Sequence, residues 1–327
     1  MKPPPSPSSA RALLPSPPIF LCLVSVALVA VVYLVAFPGD LKLQEVFSSL
    51  PCSNRAVAGR SATPATVDFR LFLGVLTRPE YYERRALLRL AYSLQPPPRN
   101  AVIDVRFVLC RLDKEEDRVL VSLEAAAYGD VVVLNCTENM NDGKTHKYFS
   151  TLPRLLAGDG DNPAYDYVGK TDDDAYYRLA TLADSLRGKA RREMYHGFLF
   201  PCDIPREYQF MAGFGYIVSW DIAEWIAATP ELWEDGRDKG RPEDILFGEW
   251  LHKGGKFKNV YGERPRMYDY MDAEMHVNLT CCRHELRADP GTVTIHKLKD
   301  RLKWARTLRF FNATQGLKPS KMFPVEL

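Results

Sequence analysis

The sequence predicts an α/β domain with a mainly parallel central sheet flanked by helices. From residue 67 onward, short apolar segments of strand-like composition alternate with longer segments whose apolar residues recur at helical spacing. Such alternation is typical of parallel sheets that are covered on both faces. In addition, three consecutive aspartates closely follow the apolar segment 165–168, and open α/β sheets bind ligands beyond the carboxyl ends of their strands.

The predicted elements follow in chain order. Strands are expected over residues 69–76, 102–109, 130–134, 165–168, 194–199 and 292–296, with a further strand that ends at residue 219. Helices are expected over residues 79–94, 114–127, 146–157, 177–186 and 220–228, and from residue 242 onward. Pro79 and Pro242 suit the first position of a helix. The sequence contains neither the dinucleotide-binding glycine fingerprint nor a P-loop, so neither of those nucleotide sites is supported.

The first 66 residues divide into three segments of different composition. Residues 1–18 are rich in Pro and Ser and predict a disordered tail. Residues 19–37 carry no charge and match the roughly 20 residues that cross a bilayer; a cleaved signal peptide and a buried core helix are the alternatives. Residues 38–66 predict a flexible stem, which leaves residues 67–327 as one large α/β domain.

The charges around the apolar segment predict a lumenal domain. Lys2 and Arg11 precede the segment, and the positive-inside rule then places the N-terminus in the cytosol. Three N-glycosylation sequons agree with this orientation and begin at Asn135, Asn278 and Asn312. The formal net charge of +2 gives no case for nucleic-acid binding.

Six cysteines lie outside the apolar segment, which contains Cys22. In an oxidising lumen an even number allows up to three disulfides. The sequence leaves the pairing open among Cys52, Cys110, Cys136, Cys202, Cys281 and Cys282. The absence of Cys-x-x-Cys spacing argues against a zinc site.

Asp172, Asp173 and Asp174 predict a metal site. Three adjacent carboxylates repel one another unless a cation lies among them. A hard divalent ion such as Mg²⁺ or Mn²⁺ accepts oxygen ligands and leaves positions open for phosphate oxygens. The alternative is helix capping, because aspartate is favoured at a helix N-terminus. One aspartate would satisfy that alternative, and three exceed it.

Several other positions have both a functional and a structural interpretation. The arginines at 84, 85 and 89 lie on the first predicted helix, either on a solvated face or beside a nucleotide phosphate. Gly213 and Gly215 indicate either close approach of the backbone to a ligand or a bulge. The acids at 243 and 244 either match a helix dipole or include a catalytic base. His296 ends the last predicted strand and is a ligand only if it meets the aspartates in space.

Taken together, residues 71–304 resemble the β-1,3-galactosyltransferase-like family of Golgi glycosyltransferases. The order and spacing of six blocks carry the likeness, at residues 84–92, 124–145, 170–174, 212–219, 243–248 and 295–296. Within them, Ala91 and Tyr92 stand where the family usually has Thr-Trp. Asn135 and Cys136 stand where Asp-Phe is more common.

The resemblance implies an A-type glycosyltransferase fold, Mn²⁺ as cofactor and a UDP-sugar as donor. By position it assigns the metal to Asp172, Asp174 and His296. It assigns the role of catalytic base to Asp244, assisted by Glu243. It assigns donor binding to Arg84, Arg85, Arg89, Lys144, Asp172, Asp173, Gly213 and Gly215. It also implies a single-pass type II Golgi membrane protein that acts on a glycan or glycoprotein and forms homo- or hetero-oligomers.

One base without a carboxylate nucleophile predicts inversion at the anomeric carbon. The family's commonest donor is UDP-galactose, with UDP-N-acetylglucosamine second, and a β-1,3 linkage is expected. Two other functions remain open at this stage. One is a catalytically weak relative that binds glycans or partner enzymes, and the other is a metal-dependent phosphohydrolase.

Overall fold

The computed structural model describes residues 67–157, 163–201, 204–236, 240–264, 266–270 and 291–315. The predicted tail, membrane span and stem fall outside these ranges, as do Cys52, Cys202, Asn278, Cys281 and Cys282. Within the described ranges, no helix is both long enough and apolar enough to span a bilayer. The predicted domain boundaries therefore stay predictions.

The described part of the chain contains ten strands, eight α-helices and two short helical segments of other types, Met140–Lys144 and Arg206–Tyr208. The strands are β1 Phe69–Leu76, β2 Ala101–Leu109, β3 Val131–Val133, β4 Tyr167–Asp172, β5 Tyr176–Tyr177, β6 Met194–Phe200, β7 Phe210–Ser219, β8 Asn259–Gly262, β9 Met267–Asp269 and β10 Thr294–His296. The helices are α1 Tyr82–Ser93, α2 Glu115–Tyr128, α3 Thr145–Leu155, α4 Leu179–Leu186, α5 Trp220–Ala228, α6 Glu231–Gly236, α7 Glu243–Lys253 and α8 Arg301–Phe310.

Seven strands form one sheet in the order β3-β2-β1-β4-β7-β6-β8. β1 pairs in parallel with β2 and β4, β2 with β3, and β6 with β8. β7 is antiparallel to both of its neighbours, β4 and β6. Six of the seven strands therefore run in one direction, which confirms the predicted mainly parallel sheet. The carboxyl ends of β1 and β4 lie side by side, because Leu76 pairs with Asp172.

Helices cover both faces of this sheet. Side chains alternate along β1, so successive residues pack into different apolar layers. Phe72 belongs to a layer that also contains side chains of α3, α5 and α7. Leu71 and Leu73 point to the opposite face, where α4 packs, and Val75 meets α1 and α8 on that side. The sequence is thus apolar on both sides of the strand, as a doubly covered sheet requires.

The chain around the aspartates differs from the prediction. β4 continues past the apolar run to Asp172, because the charged Lys170 is fully buried and forms ion pairs inside the protein. The two-residue strand β5 then precedes α4, whose N-cap residue is Arg178. The aspartates therefore do not cap a helix, and the capping alternative is wrong.

Several short elements were not predicted. β8 and β9 have four and three residues, which is too short for an alternating pattern to be recognised. β9 nevertheless matters, because it joins β5 and β10 in a second, three-stranded sheet in the order β5-β10-β9. Within this sheet Ile295 pairs with Tyr176 of β5 and Tyr268 of β9.

One disulfide joins Cys110 and Cys136, with a Cα–Cα distance of 5.0 Å. It connects the residue after β2 to the loop after β3. The sequence had left the pairing of these cysteines open. The bond fixes the start of the segment that leads to α3 beside the carboxyl ends of the strands.

Candidate active site

A cleft of about 530 Å³ lies at the carboxyl ends of β1 and β4. The aspartates at 172, 173 and 174 form one wall, together with Lys299. The opposite wall combines the start of α1 with the turn 138–144 and includes Arg84 and Lys144. The structure therefore brings five of the predicted site residues to one cavity.

The three aspartates have different partners. Asp173 accepts hydrogen bonds from the Thr77 hydroxyl at 2.7 Å and from Arg84 at 2.6 Å. Burial nevertheless raises the pKa of Asp173. Asp172 and Asp174 instead face His296, whose Nε2 atom lies 4.0 and 3.3 Å from their oxygens. The triplet is thus divided between one residue that holds α1 and two that form a cluster.

Asp172, Asp174 and His296 form the candidate metal centre. One ligand atom from each lies within 4.8 Å of the other two. Two carboxylate oxygens and one imidazole nitrogen suit a divalent ion of the Mg²⁺ or Mn²⁺ type. Because only three protein ligands converge, an ion held here would keep positions for further oxygen ligands. The residues present therefore fit the predicted divalent metal.

The small sheet carries His296 into this cluster. β10 is held between β5 and β9, so its last residue emerges beside the aspartates. Asp269, the last residue of β9, accepts a hydrogen bond from His296 Nδ1 at 2.9 Å, and the Phe214 ring stacks on the imidazole at 4.6 Å. A hydrogen bond to Nδ1 leaves Nε2 facing the cluster, which is the usual arrangement of a metal-binding histidine.

Charges around the cluster set its protonation in the metal-free protein. Burial alone would lower the pKa of His296, but hydrogen bonds to Asp174 and Asp269 raise it to about 9. Burial alone would raise the pKa of Asp174, but His296 and the cations at 299 and 84 hold it below its ordinary value. The two groups therefore form a charged pair until a cation takes the place of the imidazole proton.

Lys170 connects the candidate metal centre to the start of α7. Its ammonium group lies 2.8 Å from an oxygen of Asp172 and 2.7 Å from Glu243, and it also bonds the carbonyl of Gly213. Burial alone would lower the pKa of Lys170, but the two carboxylates raise it, so the ammonium stays charged. Sequence reasoning missed this residue, although a lysine within an apolar strand signals a buried ionic partner.

The predicted catalytic pair divides into one buried and one accessible carboxylate. Glu243 is buried, where it bonds Lys170 and accepts a hydrogen bond from the Tyr216 hydroxyl at 3.0 Å. Asp244 is half-buried and accepts a hydrogen bond from the backbone N–H of Gly213 at 2.8 Å. Its second oxygen accepts from the Ile245 N–H at 2.9 Å. Asp244 is therefore the accessible carboxylate, and Glu243 helps to position the turn.

The two glycines of β7 make room for different neighbours. A Cβ atom on Gly213 would lie 2.9 Å from Glu243 and 3.2 Å from Asp244. The missing side chain thus allows the two carboxylates to approach β7. A Cβ atom on Gly215 would overlap the Tyr177 hydroxyl instead. Gly215 serves packing between the two sheets at this point.

The three arginines of α1 have separate positions. Arg84 is partly exposed at the cleft, where it bonds Asp173. Arg85 is fully buried and forms a two-pronged pair with Glu124 of α2 at 2.7 Å. Arg89 bonds Asp130 and also lies 2.6 Å from Glu124. The structure does not bring Arg85 or Arg89 to the cleft, so these positions do not support their predicted binding of the donor.

Lys144 lines the cleft, but its ammonium group is buried. It bonds the Thr77 carbonyl and the Glu138 carboxylate. Burial lowers the pKa of Lys144. In this arrangement the lysine joins the turn 138–144 to the end of β1 and so shapes the cleft wall.

Comparisons with known proteins show what the chain is similar to. Residues 83–206 match the family model described as Galactosyltransferase. The β-1,3-galactosyltransferase pvg3 of Schizosaccharomyces pombe is 26% identical, with 71% of each chain covered. The chain therefore resembles the galactosyltransferase family. β-1,3-Galactosyltransferase 6 of Mus musculus, another relative, is 27% identical over 61% of this chain and 66% of its own length.

These matches confirm the predicted resemblance and support a hexosyltransferase. Among solved structures, the galactosyltransferase LgtC is 12% identical with a TM-score of 0.43, over 77% of this chain and 97% of its own. Mouse xyloside xylosyltransferase 1 is 9% identical with a TM-score of 0.40, over 70% and 97%. These likenesses concern the fold, and at such TM-scores no activity follows from them.

Proposed function

We propose that this chain is an inverting, Mn²⁺-dependent glycosyltransferase that moves galactose from UDP-galactose to a glycan or glycoprotein acceptor, in a β-1,3 linkage. The names of the curated relatives support galactose and the linkage. We also propose that residues 1–18 are cytosolic, that residues 19–37 span the Golgi membrane and that residues 38–66 form a lumenal stem. The catalytic domain, residues 67–327, would then lie in the lumen.

The observation that carries this proposal is the pairing of a candidate metal centre with an accessible carboxylate. Asp172 of the centre reaches Lys170, Lys170 reaches Glu243 and the Gly213 carbonyl, and the N–H of Gly213 holds Asp244. These contacts would fix the proposed base relative to the proposed metal ligands. Such fixed positioning is what a transfer between two bound substrates requires.

The residues divide the chemistry between them. Asp172, Asp174 and His296 would hold the ion, which supplies positive charge to the diphosphate of the leaving UDP when it is bound. Arg84 at the cleft offers a further cation to the donor. Asp244 accepts the proton of the acceptor hydroxyl. The hydroxyl oxygen of the acceptor then bonds the anomeric carbon as the carbon–oxygen bond to UDP breaks. Because no carboxylate bonds the sugar, an α-linked donor gives a β-linked product.

The binding-protein alternative loses its main support in the structure. That alternative was based on Ala91 and Tyr92, which depart from the family pattern. Ala91 is buried in the apolar layer beneath α1, and Tyr92 stacks on Tyr176 with ring centroids 5.9 Å apart. Neither residue lines the cleft. The departure therefore affects helix packing and leaves the proposed catalytic residues intact.

The proposal is tested by measuring UDP release from the purified full chain with a panel of UDP-sugars and candidate acceptors. Release from UDP-galactose is expected with Mn²⁺ and an acceptor, and it should stop with a chelator or with Asp174→Ala. Asp184→Ala is the matched control, because Asp184 is an exposed carboxylate that pairs with Arg187 and lies away from the cleft. Release from a different sugar would correct the donor. Phosphate release without an acceptor would favour the phosphohydrolase alternative.

A further inference from the structure

A second cavity in the described part of the chain lies outside the cleft. It has a volume of about 700 Å³ and lies between α3 and the segment that joins α5 to α6. The turn 138–144 separates the two cavities: Asn139, Met140 and Lys144 line the cleft, whereas Asp142 and Gly143 line this second cavity. The proposed transfer reaction uses none of the side chains of the second cavity.

Asn135, the first residue of a sequon, lies at this second cavity. Asn135 is exposed and lines the cavity together with Thr137, the third sequon residue. The residue between them, Cys136, is held by the disulfide to Cys110, and its carbonyl accepts a hydrogen bond from the Arg111 N–H at 3.3 Å. A sugar attached to Asn135 would therefore leave from a fixed point of the cavity rim.

Trp233 gives the cavity an aromatic surface. Its indole stacks on His146 with ring centroids 6.0 Å apart. Gly143 allows this position, because a Cβ atom there would lie 2.9 Å from the indole ring. Burial lowers the pKa of His146 to about 4, so the stacking partner is uncharged at neutral pH. Trp233 is half-buried and lines the cavity.

The polar lining suits a neutral ligand with many hydroxyl groups. Lys147 and Arg154 contribute two cations, and Asp142 and Glu234 contribute two carboxylates. The charges balance, which favours neither an anionic nor a cationic ligand. A rigid aromatic surface combined with hydrogen-bonding groups on the rim is suited to an amphipathic ring such as a sugar.

We infer that the second cavity binds the first sugars of an N-linked glycan attached to Asn135 of the same chain. The inference depends on the lumenal location proposed above. Attachment keeps the sugar at a high effective concentration, in the millimolar range for short flexible tethers, so even a weak intrinsic affinity keeps the cavity occupied. The glycan then packs against Trp233 and covers the groove between α3 and α6.

The first test uses the full chain purified from cells that glycosylate secretory proteins. Site-resolved mass spectrometry measures occupancy at Asn135 and Asn312, and a peptide N-glycosidase then acts on the folded protein. Asn312 is the internal reference, since it is an exposed sequon residue at a different cavity. Trp233→Leu is expected to speed release at Asn135 by roughly fivefold, which corresponds to ~1 kcal/mol, and to leave Asn312 unchanged.

The second test uses Asn135→Gln, which removes the glycan but keeps an amide, and N,N′-diacetylchitobiose as a free probe. The variant is expected to bind the probe, whereas the glycosylated wild type is not, because its own glycan fills the cavity. Binding to both proteins would instead indicate a site for an external glycan and overturn the inference.

Other outcomes also overturn the inference, and they separate it from the proposed function. An unoccupied Asn135 beside an occupied Asn312, or equal release rates in the wild type and Trp233→Leu, contradicts it and leaves the lumenal location intact. The absence of glycan from all sequons contradicts the lumenal location and the inference together. UDP release with Mn²⁺ would still be measured separately.

Discussion

At the scale of single residues, the position of Asp244 depends on the absence of a side chain at Gly213. The Gly213 N–H bonds one Asp244 oxygen, and the absence of a Cβ atom leaves room for the Glu243 and Asp244 carboxylates. The same glycine gives its carbonyl to Lys170. Gly213 therefore links Asp244, the proposed base, to Lys170, which contacts the candidate metal centre.

Gly213→Ala is expected to slow transfer without weakening metal binding. The new Cβ atom would push the Asp244 carboxylate away from β7, and a displacement of ~1 Å can cost about 10²-fold in rate. The measurement is kcat at saturating donor and acceptor, with Mn²⁺ titration and thermal unfolding as checks on the metal centre and the fold. Wild-type kcat in a folded Gly213→Ala variant would show that Asp244 needs no such placement.

Asp269 does not line the cleft, but it bonds His296 of the candidate metal centre. Asp269→Asn is expected to weaken Mn²⁺ binding about tenfold, because the partner of a metal-binding histidine orients the ring and adds to its basicity. Calorimetric titration of the donor-free protein measures this directly. Lys297→Met is the control, because Lys297 also pairs with Asp269 at 3.3 Å. Equal losses in the two variants would assign the effect to that pair.

At the scale of elements, α1 connects the cleft to α2 through differently directed arginines. Arg84 points to Asp173 at the cleft, whereas Arg85 and Arg89 converge on Glu124. The side chains of Arg85 and Glu124 are 1% and 2% exposed, so the pair is shielded from water. Removal of one partner from such a buried pair leaves an uncompensated charge.

Glu124→Gln is expected to lower the free energy of unfolding by about 3–5 kcal/mol at neutral pH. Burial alone would raise the pKa of Glu124, but hydrogen bonds from Arg85 and Arg89 hold it below its ordinary value of 4.5. A lowered pKa stabilises the fold above that ordinary value, and this stabilisation is lost as pH falls through the lowered one. The difference between wild type and variant should therefore shrink below about pH 4.5.

Denaturant unfolding at several pH values tests this expectation. Glu116→Gln is the matched control, because Glu116 is an exposed acid in the first turn of the same helix. A stable Glu124→Gln variant with weakened UDP binding would contradict the structural role. It would favour the prediction that Arg85 and Arg89 bind the donor.

At the scale of the whole molecule, the sequence predicts the sheet well because apolar periodicity is a local property. β1 has the predicted bounds, and β2 begins one residue earlier than expected. The sequence predicts a site at the aspartates because three adjacent carboxylates repel one another unless a cation lies among them. The role of His296 as a ligand can be predicted only conditionally, because its approach to Asp174 depends on β10 pairing with β5, which lies more than a hundred residues earlier in the chain.

The sequence does not predict which partner each side chain contacts when neighbouring side chains point in different directions. Arg84 and Arg85 are neighbours of the same type, and only the orientation of α1 sends one to the cleft and the other to Glu124. Lys170 looked like the end of a strand, because the carboxylates that neutralise it come from β4 and from the distant α7. Asp269 lay in a strand too short to be predicted.

The central claim is that Asp244 acts as the base beside a metal-bound donor, and Asp244→Asn tests it most directly. The measurement is acceptor-dependent transfer by the full chain, with Mn²⁺ and UDP binding determined on the same sample. Glu249→Gln is the control, because Glu249 lies on the same helix and pairs with Arg241. The expected result is a loss of about 10²–10⁴-fold in kcat with binding unchanged. Normal turnover by a folded Asp244→Asn protein would contradict the assignment.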